Sequence, residues 1–155
     1  MVDQRRLLIL SCSKRKRFSQ ALLPAIERYD GPAFLVLRRF LREGPHGSRL
    51  LDVYILSAAK GLIPSNCLIE FYDRKMSASR AVELQPKVLN EFARIIQNDY
   101  ASLCLAMGRT YLTALKGWQD LVPANVKWTV AEGPMGKMQT QLKNWLWKEQ
   151  PLQLD

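Results

Sequence analysis

Leu7-Leu8-Ile9-Leu10-Ser11-Cys12-Ser13-Lys14-Arg15-Lys16-Arg17 is the stretch that decides the fold. Four aliphatic residues follow one another without the alternation of a half-exposed strand, so they read as a strand covered on both faces, as in parallel sheets flanked by helices. The run ends in three small residues that suit a tight turn, and then in a row of cations. Three later runs break in the same manner: V-Y-I-L-S-A-A-K-G-L at 53–62, S-L-C-L-A-M-G-R at 102–109 and V-K-W-T-V-A-E-G at 126–133. In alternating strand and helix proteins, the loops leaving the carboxyl ends of strands gather along one edge of the sheet, where ligands bind. The pattern therefore predicts that Cys12, Lys14, Lys60, Gly108, Arg109 and Glu132 lie close together in space.

The segments between these runs carry helical spacing. A short helix is expected over 21–28, broken by Pro24, and a second over 33–42, with Phe34, Leu35, Leu37, Phe40 and Leu41 opposite Arg38, Arg39 and Arg42. Ser77 or Ser79 caps a long helix to about residue 98 with Pro86 inside it. Gly108 opens another through about Trp118, and 137–148 forms a last one with Met138, Leu142, Trp145 and Leu146 on its buried stripe. Strand then helix, repeated, predicts a three-layer α/β sandwich around a roughly four-stranded, mostly parallel sheet. Residues 64–76 form a connection long enough to be a functional loop.

A chain of 155 residues, 48% hydrophobic and 24% charged, suits one α/β domain with a real core. No apolar run approaches the roughly 18 residues of a membrane span, and Met1-Val2-Asp3-Gln4-Arg5-Arg6 lacks an export signal, so a cytoplasmic protein without a membrane partner is expected. Cys12, Cys67 and Cys104 are odd in number, without C-x-x-C spacing, and a single histidine accompanies them; free thiols and no metal site follow. The net charge of +9 is uneven, because residues 1–50 hold 11 Lys/Arg against 4 Asp/Glu. A basic footprint of that kind attracts polyanions, which makes nucleic acid, DNA or RNA, the leading macromolecular partner.

Ser11, Ser13, Lys14 and Lys16 supply the small-residue turn, hydroxyls and cations needed to hold a phosphate. No G-x-x-x-x-G-K-[ST] occurs, and no cofactor is expected. Cys12 is a candidate nucleophile in this electropositive turn, although a small buried cysteine at a strand end is the commoner use of the residue. Tyr72 and Asp73 in the long loop offer a ring for a base and a carboxylate to orient water, while Glu132 is the other edge carboxylate. His46, in G-P-H-G, reads as a chain reversal. Gly136 and Lys137, entering the last helix, give a second anion-binding turn, and Trp128 and Trp145 read as core.

Taken together, Ser11-Cys12-Ser13-Lys14, then Leu56-Ser57-Ala58 with Gly61-Leu62, Tyr72-Asp73, Met107-Gly108-x-x-Tyr111 and Gly133-x-Met135-Gly136-Lys137-Met138 with Leu142 resemble a family of uncharacterised bacterial proteins. That family is similar to a domain of archaeosine synthase and, more distantly, to the peroxide-stress YaaA family. The resemblance covers residues 7–145 and implies a fold akin to uracil-DNA glycosylases. Relatives often read L-S-A-K-Y-G-L where this chain has Ala59 and Lys60, and the G-Q-D-P-Y signature of true uracil-DNA glycosylases is absent. Fold alone does not confer that activity.

These readings lead to a protein that handles nucleic acid or a nucleobase, with N-glycosidic hydrolysis or base modification as the candidate chemistry. A base would rest against Tyr72 and Gly61, with Ser57 and Lys60 beside it, and phosphates on Lys14, Lys16 and Arg17. Two alternatives stand beside it: a non-catalytic nucleic-acid-binding stress-response module, and an enzyme acting on a small phosphorylated nucleotide-like metabolite. Whether catalysis occurs at all, and the oligomeric state, are left open by the residues.

Overall fold

A computed structural model describes residues 5–44 and 49–148. His46 lies outside the described residues. The leading aliphatic run is strand β1, Arg6–Ser11, and it occupies the middle of the sheet. It pairs in parallel with β3, Leu51–Ser57, on one side and with β6, Ser102–Ala106, on the other. Leu8 thus sits between Val53 and Cys104. Beyond β6 lies β7, Lys127–Ala131, also parallel.

The sheet has five strands where the sequence pattern predicts about four. The addition is β4, Gly61–Pro64, which folds back antiparallel on β3. The turn Ser57-Ala58-Ala59-Lys60 leads into Gly61 at φ +80°, a left-handed conformation that glycine adopts without a side-chain clash. Leu62 and Ile63 then bury against β3. Within the long connection, β5, Leu68–Ile69, pairs with β2, Leu23–Pro24, as a separate two-stranded ribbon.

Helix α2, Pro32–Glu43, packs on α5, Met135–Lys148, while α3, Ala78–Ile95, packs on α4, Arg109–Ala114. β1 and β6 between them are buried on both faces, which gives a helical layer on either side of the sheet. Helix α3 follows the predicted course: the Ser77 hydroxyl caps it by accepting from the Arg80 N–H, and the helix continues past Pro86. The first helix differs from expectation. Pro24 does not interrupt it but precedes it, so that α1 is only Ala25–Arg28 and Leu23–Pro24 is strand. Helix α4 is also shorter than predicted, because Gly117, at φ +95°, turns the chain into a 3₁₀ turn at Trp118–Leu121.

The parallel strands run in the order β3-β1-β6-β7. From β1 the chain moves by way of α2 to β3, and from β6 it moves the opposite way, by α4, to β7. The carboxyl ends of β1 and β6 therefore flank a topological switch point, the place where open α/β sheets take ligands. Among the described residues no helix is long and apolar enough to cross a membrane.

Candidate functional site

Cys12 leaves the end of β1, its N–H held by the Leu56 carbonyl at 2.9 Å. Its thiol reaches across the switch point to the Tyr111 hydroxyl on α4, with Sγ 3.2 Å from Oη. Close by, the Ser57 hydroxyl at the end of β3 is 2.9 Å from the Tyr72 hydroxyl, which in turn hydrogen-bonds the hydroxyl of Tyr29. Ser57 Oγ also accepts the N–H groups of Ala59 and Lys60, both at 3.1 Å, and so shapes the turn after β3. Three irregular segments, the end of one strand and one helix converge here on four hydroxyls and a thiol.

Phenols are neutral at ordinary pH, and burial extends that to alkaline conditions. It pushes the Tyr29 hydroxyl up to about 12, and it raises Tyr72 and Tyr111 further, with the neighbouring Cys12 adding to both. Neutral phenols donate or accept hydrogen bonds as a ligand requires, so the cluster suits a polar, uncharged group. The charge lies at its mouth. Lys16 forms a β-bridge with Tyr29, and its ammonium stands 5.0 Å from the centre of the Tyr72 ring.

The remaining expected residues fall into distinct surroundings. Ser11 is partly exposed at the end of β1, and Lys14 is exposed beyond it. Ser13 is engaged within its loop, donating to the Arg15 carbonyl at 2.5 Å and accepting the Gly31 N–H at 3.2 Å. Lys60 pairs with Glu70 at 3.1 Å; with the backbone N–H of Glu70 itself, it holds that carboxyl below its usual range. Gly61 lies against Glu91, whose carboxylate accepts the Leu62 N–H. Asp73 is exposed and makes no hydrogen bond or ion pair among the described residues.

Arg109 and Glu132 belong to a second place on the same edge, which corrects the expectation of a single cluster. They line an open cleft of about 750 Å³ together with Lys116, Trp118 and Trp128. Trp128 is 52% exposed and not core, because β7 is the outer strand and leaves its indole uncovered except where it meets Trp118 edge-on at 5.0 Å. Trp145 is buried as expected. Gly108 caps α4 with open space around it, and Gly136 and Lys137 lie exposed in the first turn of α5, which begins at Met135 and so includes Gly136, expected in the loop before it. No three His, Cys, Asp or Glu side chains gather as a metal would require among the described residues.

Four side chains that hold these surroundings together are not among the residues the sequence pattern singles out. Tyr111 is visible only as the last letter of M-G-x-x-Y. Tyr29 reads as the tail of a helix, and nothing local signals its burial. Arg80 donates to the Ala58 and Ala59 carbonyls at 2.8 and 3.1 Å and clamps the turn that carries Ser57. Arg28 is fully buried and donates to the carbonyls of Arg17, Ser19, Ala21 and Ile69.

Residues 7–146 match a family described as a family of unknown function, DUF6884. The chain belongs to that family. No curated protein and no solved structure matches it. The DUF6884 match spans both the turn at Ser11-Cys12-Ser13-Lys14 and the helix bearing Trp145.

Proposed function

We propose that this DUF6884 protein handles nucleic acid or a nucleobase at the switch point, the base meeting the hydroxyls of Ser57, Tyr72 and Tyr111 and the phosphates meeting the basic loop. The observation that carries this reading is Lys16, a cation set over the Tyr72 ring at the mouth of a neutral hydrogen-bonding cluster. A base asks for uncharged hydrogen-bonding groups of this kind, and its phosphates ask for cations beside them. The motif likeness to the archaeosine synthase domain and the glycosylase-like architecture it implies point the same way. In N-glycosidic hydrolysis a carboxylate would orient the attacking water; Asp73, next to Tyr72 in the chain and unpaired among the described residues, is the candidate.

Binding of labelled DNA and RNA as salt is raised tests the reading. Affinity should fall steeply with salt, and Lys16→Ala should weaken binding and flatten the slope by about one charge. Affinity indifferent to salt rules out phosphate contacts. Abasic-site formation that is lost in Asp73→Asn, with the fold intact, separates an enzyme from a stress-response binding module.

A second reading rests on the other cleft, where Arg109 and Lys116 flank the Trp118 and Trp128 indoles. That arrangement suits a small phosphorylated nucleotide-like metabolite. Thermal stabilisation by mononucleotides without polynucleotide affinity favours it.

A further inference from the structure

Phe18 is 79% exposed, far more than an aromatic ring gains by packing, and it follows directly on Lys14-Arg15-Lys16-Arg17. Its ring neighbour among the described residues is Phe71, itself 42% exposed, which meets it edge to face at 5.3 Å. The two rings come from loops far apart in sequence, and both loops are fixed by one side chain. The buried guanidinium of Arg28 takes the carbonyls of Arg17, Ser19 and Ala21 on one side and Ile69 on the other, and lies 5.9 Å from the Phe71 ring. No carboxylate pairs with it among the described residues. A fully desolvated arginine spent on loop carbonyls is a costly device, and what it achieves is the rigid display of two phenyl rings.

Cations lie near both rings in the sequence. Lys14 precedes Phe18, and Arg74 and Lys75 follow Phe71 beyond Asp73; all three are exposed and without ion pairs among the described residues, while Glu70, before Phe71, is paired with Lys60. Next to Phe71 in the chain, Tyr72 enters the hydroxyl cluster.

We infer that Phe18 and Phe71 are a stacking platform for the unpaired bases of a single-stranded nucleic acid, whose phosphates lie on the surrounding cations. This rests on the reading that the protein handles nucleic acid and adds which form it takes. An unpaired base has a free planar face to offer a ring, whereas a duplex hides those faces in its own stack. A second copy of this chain would bring like charges together across the contact.

Fluorescence anisotropy with a labelled 20-nucleotide single strand and the matching duplex tests it. The single strand should bind more tightly. Phe18→Ala and Phe71→Ala should each weaken it by roughly 5- to 150-fold, the range of one lost base stack, without changing the salt slope. Phe18→Trp should keep the affinity. Phe18 is so exposed that its truncation leaves the fold unchanged, so its result decides the matter even if Phe71→Ala misfolds. Equal binding of strand and duplex, affinity unmoved in Phe18→Ala, or displacement of the strand by polyglutamate at equal charge overturns the inference while leaving nucleic-acid handling in place. Sedimentation showing a dimer that Phe18→Ala dissolves assigns the rings to a second copy and overturns it as well. Failure of every polynucleotide to bind overturns both readings.

Discussion

Tyr29, Tyr72 and Tyr111 are held as neutral phenols by burial, and this gives the protein an alkaline limit. Unfolded tyrosine ionises near pH 10. With the folded values raised, the native state keeps protons that the unfolded chain loses, so the stability these hydroxyls contribute is whole below about pH 10 and drains away as pH climbs past it. Urea midpoints should fall from about pH 10 upward, and Tyr29→Phe should lessen the fall between pH 10 and about 12. Arg28 makes the second prediction at this scale. Arg28→Leu removes the donors of four carbonyls and should cost about 3 kcal/mol in urea unfolding. Cys12, Lys16, Ser57 and Tyr72 were legible in the sequence because each lies at or just beyond the end of a strand or in a loop too long to be mere connection. Tyr29 was not, since its place is set by a bridge to Lys16, a pairing between two irregular segments that no periodicity records.

Among the elements, the turn from β3 into β4 bears most on the site. Gly61 has positive φ, and a Cβ there would stand 2.8 Å from the Glu91 carboxylate. Gly61→Ala should destabilise the fold by about 1–3 kcal/mol and shift the Ser57 turn, measured as a lower thermal midpoint together with weaker ligand binding. Arg80→Ala frees the Ala58 and Ala59 carbonyls of the same turn. It should weaken binding at the hydroxyl cluster several-fold while the helix content seen by circular dichroism is retained. The four parallel strands were readable from short apolar runs that each end in a polar or glycine-bearing loop, and the helices from their spacing. β4 escaped because Gly61-Leu62-Ile63-Pro64 is short and lies inside what reads as a loop; only its pairing with β3 makes it a strand. Pro24 misled for a related reason, since a proline that breaks a helix and one that precedes it look alike until the neighbouring ribbon is known.

For the molecule as a whole, the sequence pattern carried the sheet, its layers and the edge where polar loops meet. It did not show that the edge is divided, with the hydroxyl cluster at the switch point and the Trp118 and Trp128 cleft beside it. That division depends on α4 stopping at Ala114, which Gly117 and the turn after it bring about. It also gives the two places separate tests: Trp128→Ala should abolish stabilisation by mononucleotides and leave the salt-dependent binding of strands unchanged, both measured on one preparation.

Strand β1 stands in the centre, between β3 and β6, and its Arg6 reaches the carbonyls of Trp145 and Leu146, 139 and 140 residues later. A ribosome that has not yet passed Ala106 therefore carries an aliphatic ribbon with one side bare. Until residues 102–106 have been made, that side is an open edge on which another chain can pair, and its closure waits on a partner about a hundred residues downstream.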